Sequence, residues 1–169
     1  MARRVRDLAL FDLAIDSKLR GCDLVRLKIA DIAPHGALLS RATVIQRKTG
    51  RPVQFEITEQ TRVSIEAWLN VRGNPAGYVF PSRVHHRSGH LSRRQYARLV
   101  LEWASLIGLD PTSYGTHSLR RTKASLIYKR TGNLRAVQIL LGHTKLESTV
   151  RYLGVEVEDA LTISEQTEI

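Results

Sequence analysis

The sequence predicts an α+β fold in which helices dominate and one small β-hairpin forms the sheet. Three observations carry that expectation. Val53, Phe55 and Ile57 alternate with Gln54 and Glu56 at period two, opposite a second strand-like run. Tyr96, Leu99, Val100, Trp103 and Ile107 recur at helical spacing. Gly108, Gly132 and Gly142 each follow a helix-periodic run, which is where helices stop.

The elements follow in order. Leu8 to Ile15 is apolar on several faces and suits a well-buried helix. A short helix starts near Arg20 or Gly21, with Leu24 and Leu27 inward. Residues 43–47 and 52–57 make the hairpin, and Lys48-Thr49-Gly50-Arg51 supplies the glycine its turn needs. Thr58 caps a helix running to about Val71, in which Val63 and Ala67 stand four apart beside Trp68. Trp68 and Trp103 are assigned to the core. Pro81 to His90 is polar and reads as a loop; His85, His86 and His90 lack a companion carboxylate or cysteine, so no metal site is assigned.

Ser92 and Gln95 form a capping box for the next helix. A further helix spans about Thr116 to Arg130, and another begins at the cap Asn133 and packs through Leu134, Val137 and Leu141. Thr144 and Glu147 make a second capping box, opening a short helix through Leu153 whose buried stripe is Leu146, Val150 and Leu153.

The 169 residues suit one domain with a core of its own. A lone cysteine, Cys22, excludes a disulfide framework and a cysteine-rich metal site, and fits a reducing cytosol. Cys22 reads as a small buried residue, since nothing pairs it with a base. No apolar run reaches the roughly 18 residues of a membrane span, and the N-terminus lacks a signal-peptide pattern. A cytoplasmic location is expected.

Lys and Arg number 26 against 16 Asp and Glu, a net charge of +10. The charge is segregated: residues 1–152 carry all 26 basic groups and 11 acidic ones, while 153–169 carry five acidic groups alone. Such a body points to a polyanion, with nucleic acid ahead of an anionic membrane surface. No basic amphipathic helix with an exposed apolar face is evident, which sets the membrane aside. Arg93, Arg94 and Arg98 are candidate phosphate contacts.

Three local patterns carry chemistry. His117 and Arg120 stand three apart in the first turn of a helix, where the dipole and free N–H groups favour an anion. Gly142 lets the chain turn sharply and presents His143 at a helix junction. Tyr152 lies about 120° or further from the Val150 side of the expected apolar stripe of its helix, so it is placed to be reached.

With Arg20 and Lys48, these patterns resemble the tyrosine recombinases, or phage integrase family, over roughly residues 5–155. Leu19-Arg20-Gly21-Cys22-Asp23-Leu24-Val25-Arg26-Leu27 is similar to the family's first-arginine motif, with Asp23 where Glu is frequent. Gln46-Arg47-Lys48-Thr49-Gly50 resembles the hairpin carrying the catalytic lysine. His117-Ser118-Leu119-Arg120-Arg121-Thr122 resembles the His-x-x-Arg box, and Leu141-Gly142-His143 with Tyr152 the last two sites.

The resemblance implies the recombinase DNA breaking-rejoining catalytic fold and a site of Arg20, Lys48, His117, Arg120, His143 and Tyr152. It implies a Tyr152 nucleophile, an Arg20 and Arg120 clamp on phosphate, and a hydrogen bond from His143. Lys48 is the implied general acid, and His117 accepts the tyrosine proton or positions the group that does. The arginines should favour the phenolate. Neither cofactor nor metal is implied. The partner is double-stranded DNA, bound by a chain monomeric in solution and tetrameric in a DNA synapse. Residues 1–155 form the catalytic domain.

The catalytic pattern begins almost at Met1, so no N-terminal core-binding domain is expected. The chain is then the catalytic part of a longer one, or similar to the minimal fimbrial-type invertases, and should bind DNA weakly alone. The acidic tail 156–169 is a candidate protomer-docking segment, with Val155, Val157, Ala160, Leu161 and Ile163 as its apolar strip. A catalytically silent DNA-binding regulator and a type IB topoisomerase remain as alternatives. The small size and the Leu-Gly-His pattern favour the recombinase.

Overall fold

A computed structural model describes residues 2–82 and 89–154, together with Leu161, Ser164 and Glu165. His85 and His86, and all of the expected docking strip except the exposed Leu161, lie outside the described residues. The elements run α1 (Ala2–Ser17), α2 (Gly21–Leu24), α3 (Ile29–Ile32), β1 (Arg41–Ile45), β2 (Pro52–Glu56), α4 (Glu59–Arg72) and α5 (Arg93–Leu106). A 3₁₀ turn (Pro111–Ser113) precedes α6 (Thr116–Thr131), α7 (Leu134–Leu141) and α8 (Leu146–Leu153). The fold is α+β and mainly helical, as the periodicities predict. Helix α3 and the 3₁₀ turn are too short to carry a period and went unpredicted.

The two strands pair antiparallel, with Val44 opposite Val53 and Ile45 opposite Pro52. Val53, Phe55 and Ile57 are buried, so the period-two reading of this strand identifies its inner face. Gly50 has φ +65° in the connecting turn. Helix α1 packs chiefly on α4 and then on α6. Its Ala9, Leu10, Leu13 and Ala14 enter the main core with Leu24, Phe55, Ile65, Trp68, Leu99 and Val100. A smaller core of Ala124, Val137 and Leu141 joins α6 to α7, with Tyr152 and Leu153 of α8 packed against it.

Several faces differ from the expected ones. In α4 the buried positions are Thr61, Ser64, Ile65 and Trp68, while Val63 and Ala67 are exposed. The reason is a polar seam with α1. Thr58 caps nothing with its side chain; its hydroxyl donates instead to Asp16 Oδ2 at 2.6 Å. Asp12 is buried in the same seam beside Ser64. An apolar-stripe rule misplaces a helix whose inner face is half polar. Ile107 is 73% exposed, because α5 ends at Leu106 before the stripe completes. Trp103 is half-buried, edge-to-face with Phe11 at 5.7 Å.

Ser92 accepts from the Gln95 amide at 3.1 Å, and Asn133 from the Ala136 amide at 2.9 Å, so both of those caps form. The Thr144–Glu147 box does not: α8 is capped by Lys145 without a side-chain bond. Its fully buried residue is Thr149; Leu146 is exposed, and Val150 and Leu153 are half-buried.

Candidate active site

Arg20 leaves the core at the junction of α1 and α2. Lys18, in the left-handed region at φ +53°, turns the chain there and buries its stem. Its ammonium reaches Glu56 Oε1 at 2.7 Å and the Asp16 carbonyl. Leu19 then plugs into the core, and Arg20 opens α2 with its carbonyl accepting the Asp23 and Leu24 amides at 2.8 and 2.9 Å. The Arg20 guanidinium donates to Gln46 Oε1. It pairs with neither Asp16 nor Asp23, the two acidic residues nearest in sequence. Asp16 binds Lys123 at 2.6 Å, and Asp23 Oδ1 accepts the Arg47 amide at 3.0 Å.

Lys48 is exposed on the hairpin turn. It lines a cleft of about 830 Å³ with Arg20, Arg47, Arg93, Arg94 and His117. Of the three candidate phosphate contacts, Arg93 and Arg94 line this cleft, whereas Arg98 is exposed and outside that lining. Cys22 also lines it; burial and the adjacent Asp23 push its thiol up, so it stays protonated.

Helix α6 opens at Gly115, whose amide donates to Ser118 Oγ at 3.1 Å. That start leaves His117 exposed and carries Arg120, three residues on, into the interior. Arg120 is only 2% exposed. Its Nη2 donates to the Leu141 carbonyl at 2.8 Å, while the buried Nη1 has no hydrogen-bond partner among the described residues. A buried guanidinium N–H without an acceptor is costly unless an anion receives it.

Helix α7 ends in Gly142 at φ +62°. A Cβ there would lie 2.4 Å from Val53 Cγ2 and 2.9 Å from Gln46 Nε2, so close approach and positive φ both demand glycine. His143 follows, its Nδ1 3.1 Å from the hydroxyl of buried Thr149. Helix α8 returns Tyr152 to the same place. Its ring stands edge-on to His143 at 5.4 Å and to His117 at 6.5 Å, with the Arg120 guanidinium 5.8 Å from its centroid. The hydroxyl donates to the His117 main-chain oxygen at 3.3 Å. A second cleft, lined by His117, Arg121, Lys145, Glu147, Ser148, Arg151 and Tyr152, opens beside it.

Electrostatics follow from burial among cations. His143 is pushed down to about 4 by desolvation, aided by Arg120, Arg20 and Lys48. His117, exposed as a residue but with its ring partly desolvated, is lowered too, by that desolvation and then by Arg120 and Arg20. Both rings are therefore neutral at pH 7. Tyr152 corrects an expectation: desolvation raises its phenol, and the opposing charges of Arg120, Arg121 and Arg20 do not overcome it. The unliganded site holds a phenol, not a phenolate.

Five of the six sequence-selected residues thus meet around Tyr152 and the Arg20–Gln46–Leu141–Arg120 links, and Lys48 faces the cleft they border. Sequence reading did not single out Gln46, Thr149 or the Asp16–Lys123 pair. Their signal was weak: each is an ordinary polar residue whose importance comes from a buried partner distant in sequence. Among the described residues no His, Cys, Asp and Glu cluster suits a metal ion.

A helical domain that seats a tyrosine among paired arginines and histidines defines a recognisable class, and this chain belongs to the phage integrase family, whose model matches residues 1–158. In sequence it is similar to the tyrosine recombinase XerC of Erythrobacter litoralis, 30% identical over 152 residues, covering 90% of this chain and 47% of that protein. In fold it is similar to XerA recombinase, with a TM-score of 0.76 at 20% identity, covering 97% of this chain and 57% of that one. It also resembles the XerH site-specific recombinase bound to palindromic difH substrate in a post-cleavage complex, with a TM-score of 0.72 at 21% identity over 96% of this chain and 46% of that one. The chain spans about half the length of the curated relatives it matches.

Proposed function

We propose that the chain is the catalytic domain of a site-specific recombinase that cuts and rejoins duplex DNA through a 3′-phosphotyrosyl intermediate. The observation that carries this is the setting of Tyr152, half-buried against Arg120 and two neutral histidines beside open, basic clefts. A scissile phosphate there takes hydrogen bonds from Arg20, from the unpartnered Nη1 of Arg120 and from His143. Arriving phosphate offsets the cations that lower His117 and so restores the basicity of that neutral ring, which takes the Tyr152 proton as Oη attacks.

Tyr152 Oη then bonds to phosphorus as the bond to the 5′ oxygen breaks, and Lys48 protonates that oxygen. The phosphodiester energy is kept in the phosphotyrosyl bond. Reversal by a different 5′-hydroxyl exchanges strands, so neither a nucleotide nor a redox cofactor enters the balance. The XerH relative in its post-cleavage complex supports a substrate that is cut. The basic body, with Arg93 and Arg94 in the Lys48 cleft, suits the flanking phosphates. Exchange requires several protomers on DNA, with residues 156–169 as the segment that docks onto a neighbour; deleting them should impair assembly on DNA and leave the monomer folded.

The test is a nicked suicide substrate, from which the cut fragment diffuses away and leaves the adduct trapped. A covalent adduct formed by this chain and lost in Tyr152→Phe is the expected result. Folded, DNA-binding protein that gives no adduct would overturn the reading in favour of a silent regulator. Relaxation of supercoils without strand exchange would move it to a type IB topoisomerase.

A further inference from the structure

We propose that Gln46 is a positioning residue that locks the two arginines, the lysine turn and the His143 corner into one unit. Gln46 is wholly buried, one residue beyond β1. Its main-chain oxygen accepts the Gly50 amide at 2.8 Å and its amide donates to the Arg51 carbonyl at 2.8 Å, which closes the turn carrying Lys48. Its side chain faces the other way. Oε1 accepts from Arg20, and from Thr49 Oγ1 at 3.1 Å. Nε2 donates to the Leu141 carbonyl at 3.2 Å, the same oxygen that Arg120 holds at 2.8 Å.

One neutral amide therefore bridges residues as far apart as Arg20 and Leu141, and the next residues are the close-packed Gly142 and His143. Only an amide meets these demands together. The atom toward a guanidinium must accept and the atom toward a carbonyl must donate. A carboxylate would repel the Leu141 oxygen and offset the Arg20 charge intended for phosphate. A cation would repel Arg20, and an apolar side chain would leave a buried carbonyl short of one donor. A Cβ added at Gly142 would fall 2.9 Å from Nε2, which shows how little room the corner has to drift.

This inference rests on the proposed recombinase chemistry, and its test separates the two. Gln46→Met keeps the volume and removes all three side-chain bonds. In single-turnover cleavage at saturating DNA its rate should fall about 10- to 100-fold, as expected when a catalytic group shifts by about 1 Å. DNA affinity should stay within about twofold. In an Arg20→Lys background the same change should have much less effect, because the acceptor no longer has its guanidinium. Wild-type cleavage by Gln46→Met, or equal losses in both backgrounds, would overturn the role.

A second readout needs no activity. The His143 ring, pushed down to about 4 by burial and then by Arg120 and Arg20, should shift upward by NMR in Gln46→Met as Arg20 is released. An unmoved midpoint would likewise overturn the role, even if wild-type protein forms no adduct and the recombinase reading itself fails. If Gln46→Met does not fold, Gln46→Glu carries the same two measurements, since its added charge beside Arg20 should slow cleavage and raise the His143 midpoint.

Discussion

Lys123 lies three residues beyond Arg120 on α6 and ties that helix to the rest of the domain. Its ammonium sits 2.6 Å from Asp16 Oδ1 at the end of α1 and 2.8 Å from Glu56 Oε1 at the end of β2. Lys123→Met keeps the stem and deletes the charge. Each carboxylate loses one charge-assisted bond and keeps another, Glu56 to Lys18 at 2.7 Å and Asp16 to the Thr58 amide at 2.8 Å. A hydrogen bond to a charged group contributes about 1.5–3 kcal/mol. The Lys123 and Glu56 side chains are 24% and 33% exposed, so solvent returns part of two such bonds. The expected loss is about 3 kcal/mol, or about 6–12 °C in Tm for a chain of this size.

Urea unfolding at neutral pH measures the loss, and a cycle with Asp16→Asn isolates the pair. Acid adds a sign test. Burial raises Asp16 and Glu56, but the bonds from Lys123, Thr58 and Lys18 prevail and lower both below 3.8 and 4.5, respectively. Their contribution is complete above those values and is lost as pH falls through the lower folded ones. Lys123→Met should therefore show a shallower loss of stability below about pH 4 than the parent. A loss under about 1 kcal/mol at neutral pH, or strict additivity with Asp16→Asn, would refute the bridging argument.

Other outcomes are equally open to measurement. Gly142→Ala should destabilise by about 3 kcal/mol or more, whereas Gly50→Ala, also at positive φ but with nothing within 4 Å of its added Cβ, should lose only about 1 kcal/mol; equal losses in thermal melts would contradict the close-approach argument. By NMR, His143 should remain neutral down to about pH 4, and a midpoint near 6.5 would show the ring to be solvated and remote from the arginines. By ultraviolet titration Tyr152 should ionise above 10, and Arg120→Met should raise it further, since that guanidinium opposes the shift. Lys48→Ala should slow cleavage of ordinary DNA and regain most of its rate on a substrate with sulfur at the 5′-bridging position, because a thiolate leaves without a proton; absence of that recovery would remove Lys48 from the acid role.

Much of this fold and site was legible along the chain. The hairpin, its glycine turn, the caps at Ser92 and Asn133 and the stops at Gly132 and Gly142 are set by local backbone and side-chain chemistry within a few residues. The six selected residues stood out by type and spacing, and their elements place three of them, His117, Arg120 and His143, around a fourth, Tyr152. The polar face of α4 was not legible, because Thr61 and Ser64 are buried only through the carboxylates α1 brings to them.

By itself, then, the sequence determined the helical class, the hairpin and the family, since period, turn chemistry and motif spacing are properties of neighbouring residues. Tertiary structure alone decided that Tyr152 rests as a phenol, because desolvation depends on what packs around it and there exceeds the pull of three arginines. It also decided that Gln46 joins Arg20 to the Leu141 carbonyl shared with Arg120. Hydrogen bonds between groups 21 to 95 residues apart exist only once the chain has folded and buried them together.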